Sequence, residues 1–220
     1  MFVGHFALGF AAKRTAPKLS LALLFTACQL ADIMWPALVA AGIEQVRIAP
    51  GITAFTPLDF VSYPYSHSLV ALCLWGTLFG SACWLLGTAG RASLVVAALV
   101  VSHWILDVVA HRPDMPIYPG STLWGLGLWN SVPATLIVEL PLYGAGVWVY
   151  ANATRARDSI GRWSFVGLTL FLLVAYVANV LTGPPPSVAA VSAVGLGGAV
   201  VVTAWSWWAD RHRVVRRIRP

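Results

Sequence analysis

The chain has 220 residues, of which 59% are hydrophobic and 10% charged, with 11 Trp and a mean hydropathy of +0.77. An ordinary soluble domain carries about 25% charged residues, so the composition excludes that class and points to an integral membrane protein. The formal net charge of +6 does not mark a nucleic-acid binder, because Lys and Arg fall in short patches between apolar stretches.

Taken in chain order, the first apolar segment, MFVGHFALGFAA, would extend about 18 Å as a helix, too short to cross about 30 Å of hydrocarbon. It is expected to be a half-helix tucked against the bundle. Its positive residues, Lys13, Arg14 and Lys18, follow the apolar run instead of preceding it, so it is expected to be retained and not removed as a signal peptide. Six longer segments then qualify as spans, at about 19–43, 67–87, 92–111, 129–151, 164–182 and 187–209. The predicted fold class is all-α: a polytopic membrane helix bundle of six transmembrane helices plus the N-terminal half-helix. It forms one domain over 1–220, with a site-bearing part at about 1–151, packing helices at about 164–209 and a basic tail at 210–220.

Charge sets the expected orientation. Lys13, Arg14 and Lys18, then Arg91, then Arg155, Arg157 and Arg162, then the tail RHRVVRRIR occupy alternate connections, which the positive-inside rule assigns to the cytoplasm. Residues 44–66 and 112–128 then face outward as two long loops rich in Pro, Gly and aromatics, suited to a lid over whatever the helices hold. Asp59 and Asp114 lie beside prolines in these loops, where turn formation explains them. Trp124 to Trp129 and Trp205 to Trp208 read as interfacial belts. Cys28, Cys73 and Cys83 form no CxxC pair, which argues against a thiolate zinc site and a disulfide framework.

The polar residues within the spans carry the chemistry. His103, Asp107 and His111 follow one another at intervals of four on one face of the third span, where an Asp costs about 2.5–3.5 kcal/mol to insert. Imidazole and carboxylate are ligands for zinc, iron or manganese, and a His at i with an acid at i+4 can reach one ion. Helical rise places His103 about 18 Å and Asp107 about 24 Å above the basic end, with Asp32 about 21 Å above Lys18. His67 sits at the outer end of the second span, and tilt of the half-helix could bring His5 to the same depth. His111 lies about 12 Å along the axis from His103. Pro113 disfavours helix at Arg112, so His111 either folds back over a single ion or binds a second one about 3.5–4 Å from the first. Taken singly, His5 and His67 would read as interhelical hydrogen-bonding residues; together with buried carboxylates they call for charge compensation by a metal. Glu139, beside Pro141, either bonds backbone groups freed by the proline or serves as general base or proton relay. His212 lies in the basic tail, away from this set.

Four pieces in order, Gly4-His5-Phe6-Ala7-Leu8-Gly9, Asp32 in Leu30-Ala31-Asp32-Ile33, Ser66-His67-Ser68, and Ser102-His103-Trp104-Ile105-Leu106-Asp107, resemble the family of membrane-bound metal-dependent hydrolases of the bacterial inner membrane. The similarity covers about residues 1–140. It implies a helical membrane protein with His5, Asp32, His67, His103 and Asp107 as metal ligands and a hydrolytic role. The chain departs from the family pattern at Met34, where a second acid is usual, and at Ser62-Tyr63-Pro64-Tyr65, where a histidine-arginine pair is usual. His111 is the candidate replacement, in a divergent branch.

The expected function is therefore a metal-dependent hydrolase using one or two divalent transition-metal ions, zinc first. It would act at the outer half of the membrane on a lipid-like or amphiphilic ester or phosphoester, with His111 or Glu139 moving the proton. Its partners would be membrane lipids and this substrate, without nucleic acid. The competing readings are a metal- or proton-coupled transporter or permease using the same His/Asp set, a haem protein with two His ligands, and a scaffold without chemistry.

Overall fold

The computed structural model describes residues 1–216, so residues 217–220 of the basic tail lie outside the described ones. Helices α1 (Val3–Thr15), α2 (Leu21–Cys28), α3 (Leu30–Ala40), α4 (Pro64–His67), α5 (Leu69–Leu85), α6 (Gly90–Ala110), α7 (Val132–Ala153), α8 (Ser159–Leu181) and α9 (Val188–Arg211) make up most of the chain. Three small two-stranded antiparallel sheets add to them. Strand β1 (Gln45–Ile48) pairs with β2 (Leu58–Ser62), β3 (Met115–Pro116) with β4 (Leu123–Trp124), and β5 (Thr154–Ala156) with β6 (Arg213–Val215). The fold is thus predominantly helical, not purely so. Two of these sheets lie within connecting segments and the third ties the α7–α8 connection to the chain after α9, and their paired strands satisfy backbone groups that no helix takes up.

Four helices, α6 to α9, are long and apolar enough to cross a membrane. The expected six spans are not all present as single helices. The segment expected at about 19–43 is broken at Gln29 into α2 and α3, which meet at a 58° bend and could make a fifth span as a pair. The segment at about 67–87 is divided after His67, leaving α5 with 17 residues, about 26 Å of helix. At the second division the local chemistry favours a new start. Ser20 caps α2 by accepting from the Leu23 N–H, and Ser68 caps α5 by accepting from Ala71 N–H. Pro36 inside α3 cannot donate to the carbonyl one turn back.

Helix α1 is short, as expected, and runs through the interior. Phe10, fully buried, meets Phe25, Tyr143, Tyr150 and Phe165 with ring centroids 4.8–6.2 Å apart. Gly146 on α7 permits close approach of the two helices, since a Cβ there would lie 2.4 Å from the Ala7 carbonyl oxygen. At the far end of α1, Lys13 is buried and donates to Asp210 of α9 at 2.6 Å and to the Leu19 carbonyl at 2.7 Å. Asp210 also accepts from Tyr150 Oη at 2.7 Å and from the Leu21 N–H at 3.1 Å. Its charge is compensated and its acceptors used, as burial requires.

Candidate metal centre

Asp107, one turn before the C-terminus of α6 and 2% exposed, is the hub of the polar cluster. Its Oδ1 lies 3.0 Å from His5 Nε2 and also meets the Met1 amino group. Its Oδ2 lies 3.1 Å from His103 Nε2, 3.9 Å from His67 Nε2 and 4.0 Å from His111 Nε2. Asp32 on α3 joins from the side, its Oδ1 3.4 Å from His67 Nε2 and 3.6 Å from His103 Nε2. All five residues named as ligands from the sequence are therefore together. Two overlapping sets, His5/His103/Asp107 and Asp32/His67/His103, have the spacing of a metal-ligand group.

Each imidazole is oriented by a different structural device. Helix α2 ends at Cys28, where carbonyls have no partner within the helix, and the Cys28 carbonyl faces His103 Nδ1 at 2.9 Å. His67 Nδ1 lies 2.7 Å from Ser66 Oγ, and that hydroxyl donates to Glu44 Oε2 at 2.6 Å. Glu44 Oε1 accepts from the Tyr65 and Ser66 N–H groups at 2.8 and 2.9 Å, fixing the turn that carries His67. His111 Nδ1 lies 3.0 Å from Asp114 Oδ1. A carbonyl, a hydroxyl that has already given its proton, and a carboxylate can only accept, so in all three rings Nδ1 carries hydrogen. In the neutral tautomer the Nε2 lone pairs of His67, His103 and His111 then all face the carboxylates, and buried His103 Nε2 has no hydrogen-bond partner. Lone pairs and carboxylate oxygens arranged in this way could hold a metal ion. The donor set fits a divalent transition metal.

His5 differs. Its ring stacks on that of His103 at 3.7 Å with planes 1° apart, and its Nδ1 is buried without a partner. His111 follows the last residue of α6 in an extended conformation, as Pro113 led one to expect, and folds back under the two loops. Trp129 packs on it at 4.3 Å and Phe60 at 4.9 Å. Trp129 is thus a buried lid residue and not part of an interfacial belt, whereas Trp124, Trp207 and Trp208 are exposed.

Two acids do more than form turns, and a third holds backbone away from its proline. Asp114 holds His111 and accepts from Tyr63 Oη at 2.9 Å, and burial together with this carboxylate pushes the Tyr63 phenol well above its ordinary range, keeping it a donor. Asp59 pairs with Arg47 at 2.7 Å and with Arg112, which also bonds Asp114 at 3.2 Å. Both are network members and not simple turn residues. Glu139 bonds none of the backbone near Pro141 and instead accepts from the Phe2 and Gly4 N–H groups at 2.9 and 3.2 Å, capping the start of α1. Of the residues missed from the sequence, Ser66 stood beside His67 in plain view. Glu44 gave no signal, being one acid in a loop more than twenty residues upstream.

No family model, curated protein or solved structure matches this chain.

Proposed function

We propose that the protein is a metal-dependent hydrolase of the bacterial inner membrane, related to the membrane-bound metal-dependent hydrolases, and that its substrate is a lipid-like ester or phosphoester. The observation that carries this reading is the convergence of three oriented Nε2 atoms on Asp107 and Asp32. His67, His103, Asp32 and Asp107 would hold the ion, zinc before others for this nitrogen and oxygen set, with His5 and His111 completing one site or serving a second. The chemistry such an ion supplies when bound is acidification of a water and polarisation of the scissile oxygen. The chain's own groups do the rest. Cys28, Ser66 and Asp114 keep the imidazoles in register, the 44–66 and 112–131 segments exclude water, and His111 is placed to move a proton between the cluster and Asp114. Glu139 accepts two backbone donors on Oε2, positioning α1 and with it His5, and its unpartnered Oε1 is free to serve as the general base. The cluster faces outward in this reading and the C-terminal tail lies in the cytoplasm.

Elemental analysis of the purified protein beside His103→Ala tests the reading, together with hydrolysis of chromogenic esters and phosphodiesters. The expected result is stoichiometric transition metal in the wild type, lost with hydrolysis in the variant. Metal-free, inactive wild-type protein that is otherwise folded overturns it. A transporter is the second reading, favoured by the broken α2/α3 pair beside Asp32, since discontinuous helices often flank transported ions. Flux of metal or protons in proteoliposomes, abolished by Asp107→Asn without any hydrolysis, would place it first.

A further inference from the structure

A cavity of about 590 Å³ lies between α3, α8 and α9 beneath the loop around Phe55, within the roughly 300–1,000 Å³ usual for small-molecule sites. Its walls are mostly apolar, with Phe25, Ile33, Ala175, Val194 and Gly198 among them. One ionisable side chain belongs to both the cavity and the cluster. Asp32 lines the cavity, and its side chain is 42% exposed, whereas those of His5, His67, His103 and Asp107 are no more than 4% exposed. Asp32 is therefore the face through which the cluster is reached. Trp35 and Trp129, each 8% exposed, also line the cavity, and both indole N–H groups lack an acceptor.

The geometry points to this cavity as the seat of the hydrocarbon chain of a membrane amphiphile, with a cationic, hydrogen-bond-donating head presented at the Asp32 carboxylate. The inference rests on the hydrolase reading insofar as the amphiphile is called a substrate. Two of the walls, α8 and α9, are helices fit to cross a membrane, so the surroundings of the cavity are lipid and a hydrocarbon chain reaches it without crossing water. A purely polar substrate would leave the apolar walls unused, and a plain alkane would leave the Asp32 carboxylate without a donor. Only a ligand with one end of each kind satisfies both.

The test uses the full chain in phosphatidylcholine nanodiscs and a dodecylammonium ion carrying a diazirine at the end of its tail, with crosslinks mapped by mass spectrometry. Labels are expected around Ala175, Val194 and Gly198. A Cβ at Gly198 meets no atom within 4 Å, so Gly198→Trp should fill the cavity and lose most of the label. Ala175→Trp should do the same from the opposite wall. Gly197→Trp, at an exposed position on the same helix that does not line the cavity, should keep it. Labelling of Leu74 and Leu78 on the exposed face of α5 as strong as that of the cavity overturns the proposal. So does indifference to both filling variants, or equal cavity labelling by a diazirine alkane without a head. Metal content, read on the same samples, separates the two ideas. Cavity labelling in metal-free wild-type protein sinks the hydrolase and keeps the chain site, and metal without labelling does the reverse.

Discussion

At the scale of single residues, the cluster is an arrangement of tautomers. His67 faces the carboxylates with Nε2 because Ser66 and Glu44 occupy Nδ1. Removing such an outer partner commonly costs about 10- to 100-fold in metal affinity. Ser66→Ala is therefore expected to weaken metal binding by that order in a chelator competition, while Ser66→Thr keeps the hydroxyl and most of the affinity. Glu139 allows a sharper comparison. Glu139→Ala strips two amide donors of their acceptor at about 1–3 kcal/mol each and should lower the melting temperature, whereas Glu139→Gln retains a carbonyl oxygen for them. If Glu139→Gln is stable, loaded with metal and yet inactive, the residue is a general base as well as a positioning one. The ligand types were legible in the sequence because ionisable groups in apolar spans are expensive. Their orienting partners were not, since a carbonyl at a helix end and an acid in a remote loop carry no periodic or compositional mark.

At the scale of elements, α1 is held at both ends, by Glu139 on its first amides and by Asp210 on Lys13. Between these points Gly146 lets α7 lie against it. Gly146→Ala would press a methyl group on the Ala7 backbone, and overpacking of this kind costs about 1–3 kcal/mol. The expected outcome is a lower melting temperature together with reduced metal content, because His5 lies half a turn before Ala7. The end of α6 was legible, as Pro113 forbids helix at the preceding residue. The break at Gln29 was not, since the apolar run continues through it without Gly or Pro. A second corner responds to pH. Asp158 caps α8 by accepting from the Gly161 N–H and meets His212 Nδ1 at 2.8 Å. These contacts hold its carboxyl below the ordinary value of 3.8. Folding thus favours the charged form, so the contribution is complete above that value and fades as pH falls through the lower folded-state one. Asp158→Ala should melt below wild type at neutral pH, and the gap should close in strong acid.

At the scale of the whole molecule, charge and cluster lie at opposite ends. Arg91 opens α6 and Asp107 nearly closes it, and Lys13, Arg157 and Arg213 gather with Asp210 and Asp158 at the same end as Arg91. Arg47 and Arg112 are the exceptions at the cluster end, and both are paired to Asp59. They are two of the 14 Lys and Arg residues, so the bias in positive residues still favours the other end as cytoplasmic. If that end is cytoplasmic, the exposed loop residue Tyr118 faces the other side. A membrane-impermeant thiol reagent added to intact cells should then label Tyr118→Cys and spare Arg91→Cys, both built on a chain whose native cysteines are replaced by Ala. The pattern does not depend on whether α5 or the bent α2/α3 pair crosses fully, because both positions are read relative to α6, which is long enough to span by itself. Labelling of Arg91→Cys alone reverses the orientation and turns the cluster toward the cytoplasm. The substrate would then have to be a lipid of the inner leaflet, and the outward-facing hydrolase would be lost even if the metal were found.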